Sequence, residues 1–243
     1  MNKAVLITGA SGGIGRELCR IFAENGFDVI MQYFKNREAA LAVKEELENR
    51  FPVSVFPVCA DLSKGSDCVM LAQRALELRK EIDVLVNNAG VSLRGIFQLV
   101  DETDAKRLFA VNTQSAMHLC RLILPQMINR KKGKIVNISS MWGVSGGSCE
   151  VDYSASKAAL IGFTKALSKE VGPSGINVNC VAPGFIETEM NDCFDEETKR
   201  QIALESSLEK NGTPRDVAEL VFFLSSEKAD FITGQTVSID GGR

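Results

Sequence analysis

Ala4-Val5-Leu6-Ile7-Thr8-Gly9-Ala10-Ser11-Gly12-Gly13-Ile14-Gly15 decides how this chain reads. A short apolar run, Ala4–Thr8, passes straight into Gly9, Gly13 and Gly15, spaced G-x-x-x-G-x-G, and a helical pattern follows over Arg16–Glu24. Glycine lets the backbone turn tightly and approach a ligand closely. A helix N-terminus offers unpaired N–H groups and partial positive charge, so a strand–turn–helix junction of this kind suits a phosphate or pyrophosphate. The pattern is not G-x-G-x-x-G, because Leu18 stands where the third glycine would be. No Lys-Ser/Thr pair follows, which argues against a nucleoside triphosphatase.

The same alternation continues outward from this junction. Apolar strand-like runs recur at Asp28–Tyr33, Val53–Cys59, Val84–Asn87, Lys134–Ser139, Asn177–Val181 and Thr236–Ile239. Helical periodicity separates them at Glu38–Asn49, Asp67–Arg79, Ala105–Met127, Tyr153–Val171 and Asp216–Leu224. Short buried strands alternating with helices predict an α/β fold: a single-domain, doubly wound Rossmann fold, its seven-stranded parallel sheet carrying helices on both faces. In such sheets ligands bind beyond the carboxyl ends of the strands. Thr8–Gly15, Asn87–Gly90, Ser139–Ser140 and Pro183-Gly184 all follow strands, so all four fall on one edge.

Bulk properties narrow the function. The chain has 243 residues, 45% hydrophobic, with a net charge of −3, enough for a sizeable core and without a basic face for nucleic acid. No apolar stretch has transmembrane length, and Met1-Asn2-Lys3 leads directly into the first strand, so a cytoplasmic location is expected. Seven cysteines at scattered spacings form no CxxC, and His118 is the lone histidine. No metal site is expected, and most cysteines, Cys149 included, read as packing residues. Arg130-Lys131-Lys132 reads as a solvated helix end.

The second half carries the reactive groups. Tyr153 and Lys157 stand four apart, on one face of the predicted helix, with Ser140 thirteen residues upstream. A cation beside a phenol favours the phenolate, so Lys157 is expected to lower the pKa of Tyr153 toward neutrality and make it a general acid/base. At the end of the second strand no acid appears before Glu38, whereas Lys35 and Arg37 can pair with a 2′-phosphate. The expected cofactor is therefore NADP(H).

With these motifs in hand, the chain resembles the short-chain dehydrogenase/reductase family over nearly its whole length. Thr8-Gly9-x3-Gly13-x-Gly15, Asn87-Asn88-Ala89-Gly90, Asn112, Ser140, Tyr153-x3-Lys157 and Pro183-Gly184 stand in family order. It looks most like the bacterial 3-oxoacyl-acyl-carrier-protein reductases, through Val181–Met190, Ile232–Gln235 and Asp240-Gly241-Gly242. The resemblance implies that Tyr153 protonates the carbonyl as hydride arrives, Lys157 assists it, Ser140 holds the oxygen and Asn112 anchors a relaying water. It implies a cofactor lying along Gly9, Ser11, Gly12, Gly13, Ile14 and Gly15. Tyr33, Lys35 and Arg37 would follow, then Asp61 and Leu62 at the adenine and Asn88, Ala89 and Gly90. Pro183, Gly184, Ile186 and Thr188 would lie by the nicotinamide. A helical lid over about 189–211 and a homotetramer are also implied.

Two features depart from those reductases. Ser174 stands where they can carry an arginine that docks acyl carrier protein, although Lys131 matches a second docking position. The segment Met141–Asp152, with the sole tryptophan and the Cys149-Glu150 pair, resembles a branch that reduces a 5-aminopentanone group on a lysine of elongation factor P. There Glu150 could meet a substrate ammonium. An alternative of another class, an inactive NADP-sensing binding protein, sits poorly with four filled catalytic positions.

Overall fold

The computed structural model describes residues 2–243. Seven strands and nine α-helices alternate as β1 (Ala4–Ile7), α1 (Gly13–Glu24), β2 (Asp28–Tyr33), α2 (Arg37–Arg50), β3 (Val55–Cys59), α3 (Gly65–Leu78) and β4 (Val84–Asn87). Then come α4 (Glu102–Phe109), α5 (Ser115–Arg130), β5 (Gly133–Ile138), α6 (Met141–Ser145), α7 (Val151–Val171), β6 (Ile176–Pro183), α8 (Glu196–Leu204), α9 (Pro214–Ser225) and β7 (Thr236–Ile239). The sheet order is β3-β2-β1-β4-β5-β6-β7, and every pair is parallel. The chain therefore winds one way from β1 to β3 and the other way from β4 to β7, opening a crevice between β1 and β4.

Side-chain alternation on fully buried strands divides the core in two. Val5, Ile7, Val29 and Met31 face Phe22, Val217 and Val221 on one side. Leu6, Ile30 and Leu85 face Leu71, Leu119 and Ile123 on the other. The apolar runs of β1, β2 and β4 are continuous because both faces of these strands are covered.

Three expectations are corrected. The periodicity at Ala105–Met127 suggests one helix, but the chain forms α4 and α5 separated by a π turn, Ala110–Gln114, where the Ser115 amide reaches back to the Ala110 carbonyl. Arg130 is not a solvated helix end: it donates to Glu81 at 2.8 Å and Asp83 at 3.1 Å. Cys149 does not pack; it is exposed at φ +59°, as Cys59 and Cys193 are also exposed. The lid is helical over α8, where Asp195 caps the N-terminus by accepting from the Thr198 amide.

Asp28 ties the bottom of the sheet together. Its buried carboxylate accepts from the Ser54 amide at 2.8 Å, Arg79 Nε at 2.8 Å and Asn2 Nδ2 at 3.2 Å. Asp28→Ala strands these donors, so urea unfolding should show a loss of about 2–4 kcal/mol. A loss within experimental error would remove Asp28 from the framework.

Candidate active site

The glycine turn is held from three sides. The Gly9 amide donates to Gln32 Oε1 at 2.8 Å, and Gln32 Nε2 donates to the Ala60 carbonyl at 2.8 Å. Thr8 Oγ1 accepts from the Asn88 amide at 3.0 Å and the Ala89 amide at 2.9 Å. Gly9 has φ +64°, and a Cβ there would sit 2.8 Å from Ala89 Cα, so no larger residue fits. α1 then starts at Gly12 with no side-chain cap and no acid in its first turn. Its leading N–H groups are left for an anion, which fits a dinucleotide pyrophosphate.

Past this turn lies a cavity of about 480 Å³, within the usual range for small-molecule sites. Gly9, Gly12, Gly13, Ile14, Gly15, Asn88, Ala89 and Gly90 line one end. Ser140, Tyr153, Lys157, Pro183, Gly184, Ile186 and Thr188 line the other. Ser140 caps α6, its hydroxyl accepting from the Trp142 amide at 3.2 Å. Ser139 is committed elsewhere, donating to the Lys157 carbonyl at 2.8 Å. Ser140 is thus the hydroxyl paired with Tyr153.

Tyr153 and Lys157 do meet on α7, with Lys157 Nζ 5.8 Å from the phenol ring centroid. The expected effect is reversed, however. Burial raises the Tyr153 phenol above its ordinary value, outweighing the Ser140 hydrogen bond that opposes it. Lys157 is itself buried, donates to the Ile138 carbonyl at 2.9 Å and is pushed down to about 8 by desolvation. A shared dry environment penalises both charges, so spacing on a helix fixes proximity but not the sign of the shift.

Asn112 has a structural role as well. Its Oδ1 accepts from the Val91 amide at 2.8 Å, and its Nδ2 donates to the Val91 carbonyl at 2.9 Å and Ser156 Oγ at 3.1 Å. Both Nδ2 hydrogens are therefore used in fastening the loop after β4 to α7, while Oδ1 keeps one acceptor site beside the Val91 bond.

The remaining predicted cofactor residues lie outside this cavity, toward the β2 and β3 ends. Asp61 is held by Ser63, whose hydroxyl donates to it at 2.7 Å. Burial raises its pKa, but the Ser63 bonds and Arg107 outweigh that and leave it below the usual carboxylate range. Leu62 is buried and Ser11 half-buried at the turn, while Lys35 and Arg37 are exposed. Tyr33, at the C-terminal end of β2, is buried among the core side chains on the α1 and α2 side of the sheet.

Sequence reasoning passed over Gln32, Thr8 and Arg94. Gln32 had a signal, a polar residue in the buried register of β2. Thr8 had only its place in the motif. Arg94 had none, because its partners come from distant segments.

A doubly wound sheet with an uncapped glycine turn and a Ser-Tyr-Lys group at its switch point defines a dinucleotide-dependent oxidoreductase. The chain matches the short chain dehydrogenase family over residues 3–199 and belongs to it. It is 40% identical over 242 residues to the uncharacterized oxidoreductase YmfI of Bacillus subtilis (strain 168), covering 100% of this chain and 99% of that one. It is 37% identical to the 3-oxoacyl-acyl-carrier-protein reductase FabG of Chlamydia muridarum (strain MoPn / Nigg), covering 100% of this chain and 97% of that one. Among solved structures, a blue fluorescent protein from a metagenomic library, in complex with NADPH, superimposes with a TM-score of 0.92. It shares 32% identity over 99% of this chain and 97% of that one.

The buried Lys157 has a measurable signature. Its pKa falls from 10.5 to about 8 on folding, so between those values the unfolded chain binds more protons and stability rises with pH. The penalty is full below about 8 and absent above 10.5. Relative to wild type, Lys157→Met should gain up to roughly 3 kcal/mol more at about pH 7 than at about pH 10.5. Loss of the Ile138 bond offsets both ends equally. Urea unfolding with no pH dependence of this difference would contradict the burial argument.

Proposed function

We propose that the protein is an NADPH-dependent ketoreductase that reduces a 3-oxoacyl thioester. The observation that carries this reading is the cavity itself. Its glycine end suits a dinucleotide, and its far end sets Ser140 and Tyr153 among the apolar side chains of Met141, Phe185, Ile186, Met190, Phe194 and Ile202. The relatives named as 3-oxoacyl-acyl-carrier-protein reductases align over the full chain and support the substrate class.

NADPH, when bound, supplies the hydride. Ser140 donates a hydrogen bond to the substrate oxygen and favours the charge that develops there. Tyr153, kept protonated by burial, hands its proton to that oxygen as a general acid. Lys157 sits beside the phenol and stabilises it once the proton has left. Asn112 keeps the Val91 loop and α7 in register, so the reacting groups do not drift. NADP(H) is supported by the absence of an acid at the end of β2, by the exposed Lys35 and Arg37, and by the NADPH-bound structural neighbour.

A second reading is reduction of the 5-aminopentanone-modified lysine of elongation factor P. Glu150 lines the cavity and is engaged through Oε1 alone, by Arg94 at 2.9 Å. Its other oxygen is available to a substrate ammonium. Ser174 in place of a docking arginine weakens the case for acyl carrier protein as partner.

A homotetramer in the cytoplasm completes the proposal. The outer face of α7 shows Ala155, Ala158, Ala159, Gly162 and Ala166 to solvent, and Phe231 is fully exposed next to edge strand β7. Analytical ultracentrifugation at micromolar concentration should find four subunits; a monomer would refute the assembly.

Oxidation of NADPH, and not NADH, with acetoacetyl-CoA is the expected result. Lys35→Ala/Arg37→Ala should weaken NADPH binding by roughly 10-fold or more and spare NADH. Tyr153→Phe should lower kcat by about 10²–10⁴ with NADPH affinity nearly intact. Unchanged turnover in Tyr153→Phe would sink the catalytic assignment. Inactivity toward the thioester with tight NADPH binding would favour the elongation-factor substrate.

A further inference from the structure

Arg94 lines the cavity, and the catalytic roles above leave it unused. It lies in the loop after β4. Its Nε donates to Glu150 Oε1 at 2.9 Å, Nη1 to Cys193 Sγ at 2.9 Å and Nη2 to Asn191 Oδ1 at 3.3 Å. The guanidinium also sits 4.5 Å from the Phe194 ring centroid, and Phe194 packs edge-on against Phe185 at 5.6 Å. One planar cation thus joins three segments: the β4 loop, the turn that opens α7, and the lid. The separations from Arg94 are 56 residues to Glu150, 97 to Asn191 and 99 to Cys193, so only the tertiary fold assembles the group.

We propose that Arg94 is a positioning residue that latches the substrate cavity. Its guanidinium holds the lid against the start of the Tyr153 helix and neutralises Glu150 beside the phenol. Two other arginines tether the lid, Arg16 to Glu189 and Arg243 to Glu205, but neither reaches α7. Of the three arginines, Arg94 is the one that ties the lid to the turn just before Tyr153. A planar fork is required, since a lysine cannot serve three acceptors and stack on a ring together.

The electrostatic role follows from what surrounds Tyr153. Lys157 comes from its own helix, Ser140 from the end of β5, Glu150 from the preceding turn and Arg94 from the β4 loop. Asp152 lies next to it on α7, and Glu189 and Arg243 reach the cavity already paired with Arg16 and Glu205. Glu150 acts to raise the phenol and Arg94 to lower it. Without Arg94 the Glu150 charge acts uncompensated.

The test rests on the ketoreductase reading for its kinetics but not for its structural arm. Arg94→Ala should raise KM for acetoacetyl-CoA roughly tenfold with a smaller change in kcat, leaving NADPH affinity unchanged. Trypsin should cut the lid, at Lys199, Arg200 or Lys210, several-fold faster. The alkaline limb of kcat/KM should move to higher pH, and Arg94→Ala/Glu150→Gln should move it back without slowing trypsin. Arg94→Lys keeps the charge without the fork, so it should hold the wild-type pH limb yet cut as fast as Arg94→Ala. Wild-type cleavage and KM in Arg94→Ala would overturn the latch, as would a parallel loss of NADPH affinity. Trypsin reads the lid without turnover, so the latch can fail or stand even if Tyr153→Phe sinks the catalytic reading.

Discussion

The Thr8 hydroxyl is the contact on which the site depends. By accepting from two successive amides, Asn88 and Ala89, it pins the loop after β4 to the end of β1 at the point where strand order reverses. The Asn88 side chain returns the contact, donating to the Thr8 carbonyl at 2.9 Å. Because Gly9 has no side chain, the two loops approach to van der Waals distance there, and Gln32 fixes the turn from the other side. The crevice between β1 and β4 is therefore rigid in shape, and its orphan helix amides are aimed without any side chain in the way.

From that crevice the order extends along one edge. Asn112, carried by a π turn, fastens the β4 loop to α7. Ser139 fastens the end of β5 to the Lys157 carbonyl. Asn137 donates to Thr164 Oγ1 at 2.9 Å and accepts from Asn87 at 2.8 Å, a buried polar chain linking β4, β5 and α7. Asn87 Oδ1 is left without a partner, but the remaining buried bonds hold the geometry, because breaking any of them leaves a further buried group unsatisfied. The cavity is thus held in shape by residues behind its lining as well as by those that form it.

The Tyr153 environment shows how a dry cavity divides labour. Burial keeps the phenol protonated and lowers the lysine to about 8, so near neutral pH Lys157 still holds its charge beside a neutral phenol. That suits a group that must deliver a proton. The Arg94–Glu150 ion pair lines the cavity next to the phenol, where each partner limits the other's effect on it.

Period and punctuation in the sequence determined the sheet, its parallel order and the edge where the motifs gather. Buried strands must be apolar on both faces, and glycine is required wherever backbones touch, as at Gly9. Those constraints are local, so residue types reveal them. The same local logic placed Ser140, Tyr153 and Lys157 within reach of each other. It could not give the sign of the Tyr153 shift, the occupation of the Asn112 amide, the burial of Tyr33 or the break between α4 and α5. Each of these depends on what packs around the residue. Only the tertiary structure decided them, because desolvation and hydrogen-bond satisfaction are set by neighbours far away in the chain, as Arg94 with its partners in the turn before α7 and in the lid makes plain.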